Sequence, residues 1–192
     1  MADAHQAADI NPSAMDVFEF VRLRRHAQGE VGLGRFVRLL QDLPEQPQGE
    51  AGLVRWAIDG EQGTRGEQLL RLQIQARPLV QCQRCLQPFA WPVQAEVLLQ
   101  PVLTEAELDE GLPLDEEEDL DASQPEKVLG SRRFDLLAQI EDELILSIPY
   151  VPRHEVCPDG SPGAGGAQAQ DERRPSPFEA LARLKRNDAD KA

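Results

Sequence analysis

The chain has 192 residues, of which 41% are hydrophobic and only 5% aromatic, so it can form one largely aliphatic core of ordinary domain size. Its 34 acidic residues outnumber 20 basic residues and give a net charge of -14. No segment approaches the roughly 18 apolar residues of a membrane span, and the N-terminus has neither a basic start nor an apolar run, so we expect a cytosolic protein.

The first predicted elements are two helices. Ser13, with Asp16 three residues later, indicates the start of a helix that we expect to end at Gly29. A second, shorter helix is predicted from about Gly34, and Pro44 would stop it. Apolar residues at helical spacing support both helices: Val17, Phe20, Val21, Phe36, Leu39, Leu40 and Leu43.

These helices carry the clearest basic cluster in the chain. It has two interpretations, a solvated helical face or a contact with nucleic acid, and the absence of interleaved aromatic residues favours the first. Under the second interpretation, the candidate RNA-binding residues are Arg22, Arg24, Arg25, Arg35 and Arg38.

An apolar period of two follows a polar, proline-containing link and predicts three strands. Short connections join the strands, so we expect an antiparallel meander with one buried face. The alternating residues are Val54, Trp56 and Ile58, then Leu70, Leu72, Ile74 and Ala76, and finally Trp91, Val93, Ala95, Val97 and Leu99.

Cys82 and Cys85 lie on the tight connection between the second and third strands, and His154 and Cys157 repeat their spacing further along the chain. Three cysteines in a reducing compartment are unsuited to disulfides, whereas the two pairs together offer the four ligands of a structural zinc site. The competing interpretation is that the thiols are simply buried and His154 is a surface residue. A redox CxxC is disfavoured, because no helix start follows to lower a thiol pKa.

One segment is strongly acidic. No Lys or Arg occurs between Leu86 and Glu126, and without the 12 acidic residues from Glu96 to Glu126 the net charge of the chain would be -2. We expect residues 104–126 to form a mobile surface loop. It either keeps the protein soluble or docks a basic partner through Glu116, Glu117, Glu118 and Asp119.

The last core element is a predicted helix capped by Asp135 and ended by Pro149 and Pro152. Its apolar side would carry Leu137, Ile140, Leu144 and Ile145, while Glu141, Asp142 and Glu143 would form a solvated face.

Beyond this core, residues 158–175 have the composition of a flexible linker, and a short helix is predicted over 176–187 with Ser176 as its cap. That helix offers Arg183, Lys185 and Arg186 as further candidates for RNA contact. The sequence therefore predicts one α+β domain over 13–157, built from an antiparallel meander, the N-terminal helices and one later core helix.

Three blocks carry a family resemblance: CQRCLQPF before the third strand, DLLAQIEDELILSIPYVPRH after the acidic segment, and SPFEALARLKR near the end. Together they resemble the YceD family, the large ribosomal RNA subunit accumulation proteins of bacteria and plastids. The family signature falls on Cys82, Arg84, Cys85, Phe89, Asp135, Glu141, Asp142, Glu143, Pro149, Pro152, His154 and Cys157.

This resemblance implies a cytosolic factor without enzymatic activity that is needed for 23S ribosomal RNA to accumulate. Its expected partners are the pre-50S particle, through 23S rRNA or basic ribosomal proteins. An alternative is an acidic, chaperone-like protein that holds a basic ribosomal protein without touching RNA. Zinc is the only cofactor that the residues indicate, and no catalytic arrangement is recognisable.

Overall fold

A computed structural model describes residues 10–109 and 124–158. The helices are α1 (Val17–Arg22), α2 (Val37–Leu40), α3 (Glu105–Asp109) and α4 (Leu136–Ser147), with 3-10 turns at Leu33–Arg35 and Gly49–Gly52. The strands are β1 (His26–Gly32), β2 (Leu53–Gln62), β3 (Gln68–Ala76), β4 (Leu79–Gln81), β5 (Pro88–Ala90), β6 (Val93–Val102) and β7 (Glu126–Leu129).

Five strands form the main sheet in the order β1-β2-β3-β6-β7, and β4 pairs with β5 in a separate two-stranded ribbon. All neighbours in the main sheet are antiparallel except β7, which runs parallel to β6. The predicted three-stranded meander is confirmed as β2, β3 and β6. The edge strands β1 and β7 were not predicted.

The core lies on one face of the sheet. Alternate residues of β2 and β3 are buried there, including Ile58 and Leu72, and they belong to the same apolar cluster as Phe20 of α1 and Ile140 of α4. The intervening residues, such as Gln73, are exposed on the other face. The sheet thus has the one buried face that its period of two predicts, and the α+β class is confirmed.

The predicted first helix is too long. Asp16 rather than Ser13 caps it, since Asp16 Oδ1 accepts a hydrogen bond from Glu19 N at 3.0 Å, and the helix ends at Arg22 instead of Gly29. Arg24 then adopts a positive φ of 47°, which turns the chain into β1. Pairing with β2 has overridden the helical pattern of this segment.

The fourth helix begins as predicted, because Asp135 Oδ1 accepts a hydrogen bond from Ala138 N at 3.1 Å. Its buried face is rotated from the predicted one: Leu136, Ile140 and Leu144 are buried, and so are Glu141 and Glu143. The prediction of a solvated acidic face is therefore wrong for these two glutamates.

Several predicted features lie outside the described residues. They are the middle of the acidic segment (110–123), the linker after residue 158 and the C-terminal helix at 176–187. Within the described ranges, none of the helices has the length and apolar character needed to cross a membrane.

Candidate metal centre

Cys82 and Cys85 lie on the tight turn that joins β4 to β5. The turn is closed by two backbone hydrogen bonds, from Cys82 N to Gln87 O at 3.0 Å and from Leu86 N to Cys82 O at 2.9 Å. Leu86 adopts a left-handed φ of 61°, a conformation that is costly for a residue with a side chain. The turn directs backbone N–H groups towards the Cys82 sulfur, one of which is Arg84 N at 3.5 Å.

The Cys82 thiol is buried, and its pKa is shifted to about 5. Burial alone would raise the pKa, but the backbone amides of Cys85, His154 and Arg84 and the side chain of His154 stabilise the thiolate and lower it. The lowered pKa favours the thiolate of Cys82, which is the form that binds metals. Among the described residues no helix start lies beside the pair, as the sequence indicated, and the lowering of the pKa comes instead from the turn and from His154.

The segment after α4 runs alongside this turn. Gln83 N donates to Pro152 O at 2.9 Å, and Arg84 Nη2 donates to His154 O at 2.8 Å. The imidazole of His154 lies against Phe89 of β5, with ring centroids 4.3 Å apart, and its Nδ1 is 3.4 Å from Cys85 Sγ. Backbone and ring contacts thus place His154 beside the CxxC turn.

The ligand atoms of Cys82, Cys85, His154 and Cys157 all lie within 4.8 Å of one another. Cys82 and Cys157 are buried, while Cys85 and His154 are partly buried. Tetrahedral zinc with sulfur at about 2.3 Å and nitrogen at about 2.0 Å requires ligand atoms roughly 3.5–4 Å apart, so a small contraction of this cluster would complete such a site. The four residues predicted from their spacing are therefore close together, as a metal site requires.

The ribbon is also attached to the end of α4. Trp91, just after β5, donates a hydrogen bond from Nε1 to Ser147 O at 3.2 Å, and its ring meets Phe89 edge to face at 6.2 Å. Ser147 is the last residue of α4, so this bond satisfies a carbonyl that has no partner within the helix. The aromatic pair therefore connects the candidate metal centre to the helix that covers the main sheet.

The predicted basic cluster divides into two groups. Arg22 and Arg25 have exposed side chains and approach Glu19 only at 4.0 and 3.9 Å, while Arg24 donates to the exposed Gln62 at 2.9 Å. Arg35 is exposed, and no ion pair involves it within the described ranges. These four arginines keep accessible guanidinium groups.

Arg38 belongs to the second group because its guanidinium is fully engaged. It donates from Nε to Glu141 at 2.9 Å, from Nη1 to Asp142 at 2.7 Å and from Nη2 to Ala138 O at 3.3 Å. Glu141 also accepts from the backbone N–H groups of Arg38 and Leu39, which begin the short helix α2.

Glu141 is thus a structural anchor that the sequence interpretation missed. Burial raises its pKa, but the two amides and the guanidinium outweigh that effect, so its pKa is lowered. The neighbouring residue, Asp142, contributes less to this anchor: it accepts one exposed hydrogen bond, from Nη1 of Arg38. The signal in the sequence was weak, since a single glutamate on the apolar side of a helix gives no periodicity.

Arg132 is a further basic residue that the sequence interpretation did not single out. Backbone bonds between Met15 and Phe134 and from Val17 N to Ser131 O bring its loop to the start of α1. Arg132 and Arg22 line one cleft of about 780 Å³, together with three acids and several apolar residues.

The remaining predicted site residues lie outside the described residues. They are Glu116, Glu117, Glu118, Asp119, Arg183, Lys185 and Arg186.

Comparison with known proteins gives a family and a relative. The family model described as "Large ribosomal RNA subunit accumulation protein YceD" matches residues 70–185, more than half of the chain. A protein of that same description from Haemophilus influenzae is 31% identical over 110 residues, which cover 55% of this chain and 59% of the relative. The match thus spans less than two thirds of that relative. No solved structure shows significant similarity.

Proposed function

Because the chain belongs to the YceD family, we propose that it is a cytoplasmic, non-enzymatic ribosome biogenesis factor that supports the synthesis, processing or accumulation of 23S ribosomal RNA. It does so by binding RNA or protein of the pre-50S particle. The observation that carries the proposal is the family match over residues 70–185, which includes the CxxC turn, α4 and the segment with His154 and Cys157.

In this proposal the RNA contact is the basic surface at the C-terminal end of α1 and just beyond it. Arg22, Arg24 and Arg25 follow one another closely, and their exposed, weakly paired side chains can exchange a surface carboxylate or amide for phosphate at little cost. Arg35 adds a further accessible cation. Arg38 contributes less, because its bonds to Glu141 and Asp142 would have to break first. Arg183, Lys185 and Arg186 extend the basic surface from the C-terminal segment.

A structural zinc ion is part of the same proposal. Three thiols and one imidazole are the donor set of closed zinc sites, and four protein ligands leave no position for a water or substrate. Zinc bound there would join the β4–β5 turn to the segment after α4. Cys82 would bind as the thiolate, and Phe89 would hold the ring of His154 in orientation.

Charge reversal of the three arginines at the end of α1 and just beyond it tests the RNA contact. The variant Arg22→Glu, Arg24→Glu, Arg25→Glu should lose binding to pre-50S particles and lower the level of 23S rRNA in cells. The matched control changes Arg65, Arg77 and Arg133 to Glu, because these exposed arginines give the same change in net charge elsewhere. Wild-type particle binding and rRNA levels in the first variant would remove the RNA contact from the proposal.

The alternative is a chaperone-like protein that works through its acidic segment without touching RNA. It would explain why so many of the acids are concentrated in one stretch of an otherwise near-neutral chain. Neutralising Glu116, Glu117, Glu118 and Asp119 should then abolish capture of a basic ribosomal protein, while ribonuclease treatment should leave capture intact. Crosslinking in cells, followed by sequencing of attached RNA and identification of attached proteins, distinguishes the two mechanisms directly.

Metal analysis tests the zinc site separately. The purified protein should contain one zinc ion per chain, and Cys82→Ser should remove it. Gln83→Ser is the matched control, because Gln83 is exposed and contributes only its backbone N–H to the contact with Pro152. A wild-type protein that binds no zinc even after reduction and reconstitution would show that the cluster is a set of buried thiols.

A further inference from the structure

Strand β1 forms one edge of the main sheet and lacks the features that usually protect such an edge. Edge strands are commonly blocked by proline, lysine, a bulge or an inward-pointing charge, because their unpaired backbone groups would otherwise recruit another strand. The sequence of β1, HAQGEVG, contains no proline or lysine and pairs with β2 without interruption over its whole length. The edge is therefore chemically ready to accept a strand.

The hydrogen-bond pattern identifies which groups of β1 face outwards. Gly60 N donates to Arg25 O at 2.9 Å, so Arg25 and Gly60 form a hydrogen-bonded pair of the antiparallel ladder. By alternation, Ala27, Gly29 and Val31 also bond to β2, and the backbone groups of the intervening residues His26, Gln28 and Glu30 point away from it. Across the described ranges, no other backbone segment pairs with these three residues.

We propose that the β1 edge binds the β1 edge of a second copy of this chain, antiparallel and with a two-fold axis at Gln28. In that register each of the three outward-facing residues lies opposite an outward-facing residue of the second copy. Gln28 faces Gln28, and His26 faces Glu30. Each exchanges backbone N–H···O bonds with its counterpart, so the two sheets become continuous. The interface is isologous, as closed dimers require.

The side chains on the exposed face of the sheet support this register. His26 Nδ1 lies 2.7 Å from Asp59 Oδ1, which leaves the other ring nitrogen pointing elsewhere. Glu30 Oε1 accepts from Arg55 Nε at 2.7 Å, which leaves its second oxygen available. The pairing would therefore place a histidine ring beside a carboxylate on each side of the axis, while the two Gln28 amides can bond to each other.

Other registers match less well. An axis at Gly29 would place His26 opposite Gly32, so the histidine would have no side chain to meet. An axis at Glu30 would place two glutamates directly opposite each other, which is destabilising. The charge pattern of this short strand thus favours Gln28 as its centre.

The opposite face of the strand leaves room for the pairing. In the proposed register Ala27 faces Gly29 of the second copy, so only small residues meet there. The space where Gly29 would carry a side chain is filled by Trp56 of the same chain: a Cβ at Gly29 would lie 2.6 Å from Trp56 Cζ2. No bulky side chain of β1 therefore obstructs the two-fold axis on the core side.

Sedimentation velocity across a range of protein concentrations provides the first test. The 192-residue chain of 21.3 kDa should form a species of about twice that mass as concentration rises. Gln28→Pro removes an outward N–H without removing a bond to β2, and should weaken dimerisation at least about 10-fold. A wild-type chain that stays monomeric up to several hundred micromolar, or a proline variant that dimerises normally, would overturn the proposal.

Side-chain variants avoid the risk that proline disturbs folding. Gln28→Arg places two like charges at the axis and should weaken the dimer, whereas Gln73→Arg, on the same face but on the central strand β3, should not. Residue-resolved hydrogen exchange adds an independent readout. The amides of His26, Gln28 and Glu30 should gain protection with concentration, whereas those of Ala27, Gly29 and Val31 should be protected throughout. Concentration-independent exchange at all six would contradict the pairing.

Discussion

The five-stranded sheet and the β4–β5 ribbon are stabilised in different ways. The sheet buries a continuous aliphatic cluster against α1 and α4, in which Ile58, Leu72 and Ile140 are fully buried. The ribbon has two strands of three residues each, and a two-stranded ribbon of that size is not stable alone in water. It is held by burial of Val80, a few hydrogen bonds, the ring contacts of Phe89 with Trp91 and His154, and the four clustered residues of the candidate metal centre.

Because of this difference, different features of the sequence determine the stability of the two regions. In the sheet, many residues contribute small and similar amounts of apolar burial, so the pattern of the sequence carries the information. In the ribbon, a few side chains from distant segments must meet, so individual residue identities carry it. Each region should therefore respond to a different kind of change.

The largest expected effect follows from the proposed zinc site: if zinc is bound there, its removal should cause a loss of order in the ribbon. Chelation, or Cys82→Ser, should raise hydrogen exchange at Cys85 and Leu86 by about 1,000-fold, because the turn is no longer tied to the segment after α4. The amides of β2 and β3 should keep their protection, since the sheet core does not include the ligands. Equal loss of protection in both regions would show that they unfold as one unit.

Truncation of a core residue should destabilise the sheet and leave the candidate metal centre of the ribbon unchanged. Leu72→Ala removes a fully buried side chain from the central strand and should lower the free energy of unfolding by about 3 kcal/mol, as measured by urea denaturation. Leu98→Ala, on the other face of the sheet and only partly buried, is the control and should cost less than half as much. Zinc content of the folded Leu72→Ala protein should remain unchanged. A core variant that loses zinc while still folded would contradict the separation of the two regions.

The anchor of α2 should have an intermediate effect. Glu141→Ala leaves the amides of Arg38 and Leu39 without their acceptor and should cost about 1.5 kcal/mol at pH 7. The neighbouring Asp142→Ala removes one exposed ion pair and should cost less than about 0.5 kcal/mol.

The pH dependence of this anchor follows from its lowered pKa. An acid that is more acidic in the folded state stabilises the fold above the ordinary carboxyl pKa, and this stabilisation is lost as pH falls through the folded-state value. The difference between wild type and Glu141→Ala should therefore shrink in acid, measured by urea denaturation at pH 7 and pH 3. A difference that stays constant with pH would show that the ionised carboxylate is not what holds α2.

The contrast between the two regions also explains what the sequence could predict. The period of two identified β2, β3 and β6, because those strands bury one face and leave the other in water. The first half of the short edge strand β1, residues 26–29, falls within the predicted first helix, because the apolar residues of β1 are sparse and only pairing with β2 determines its conformation. Local pattern therefore located the centre of the sheet but not its edge.

The four residues of the candidate metal centre could be predicted for a different reason. Cysteine and histidine at repeated spacing are candidate metal ligands in any fold, so residue type and spacing together selected the four residues that lie close to one another. By contrast, the lowered pKa of Cys82 arises from backbone amides of the turn and from His154, whose positions around the sulfur the sequence does not show. Glu141 was missed because its partner, Arg38, is about 100 residues away in the chain.

Substitution of Glu143 should have the smallest effect on the free energy of unfolding, and it should stabilise the protein rather than destabilise it. It lies on α4, the helix that packs on the sheet and ends at the ribbon, and burial together with the charges of Glu126 and Asp142 raises its pKa, although Gln139 partly offsets this by donating a hydrogen bond. A raised acid pKa means that stability falls as pH rises from the unfolded-state value through the folded-state value.

Glu143→Gln should therefore stabilise the protein at pH 7, by about 0.5 kcal/mol, and this gain should vanish at low pH, where the wild-type carboxyl is protonated. Glu45→Gln, an exposed site with the same change in net charge, separates this local effect from a general reduction of negative charge. The expected stabilisation requires only a buried carboxylate on a helix shared by both regions. If the two variants gained equally, general repulsion in this acidic chain, rather than the environment of Glu143, would be the cause.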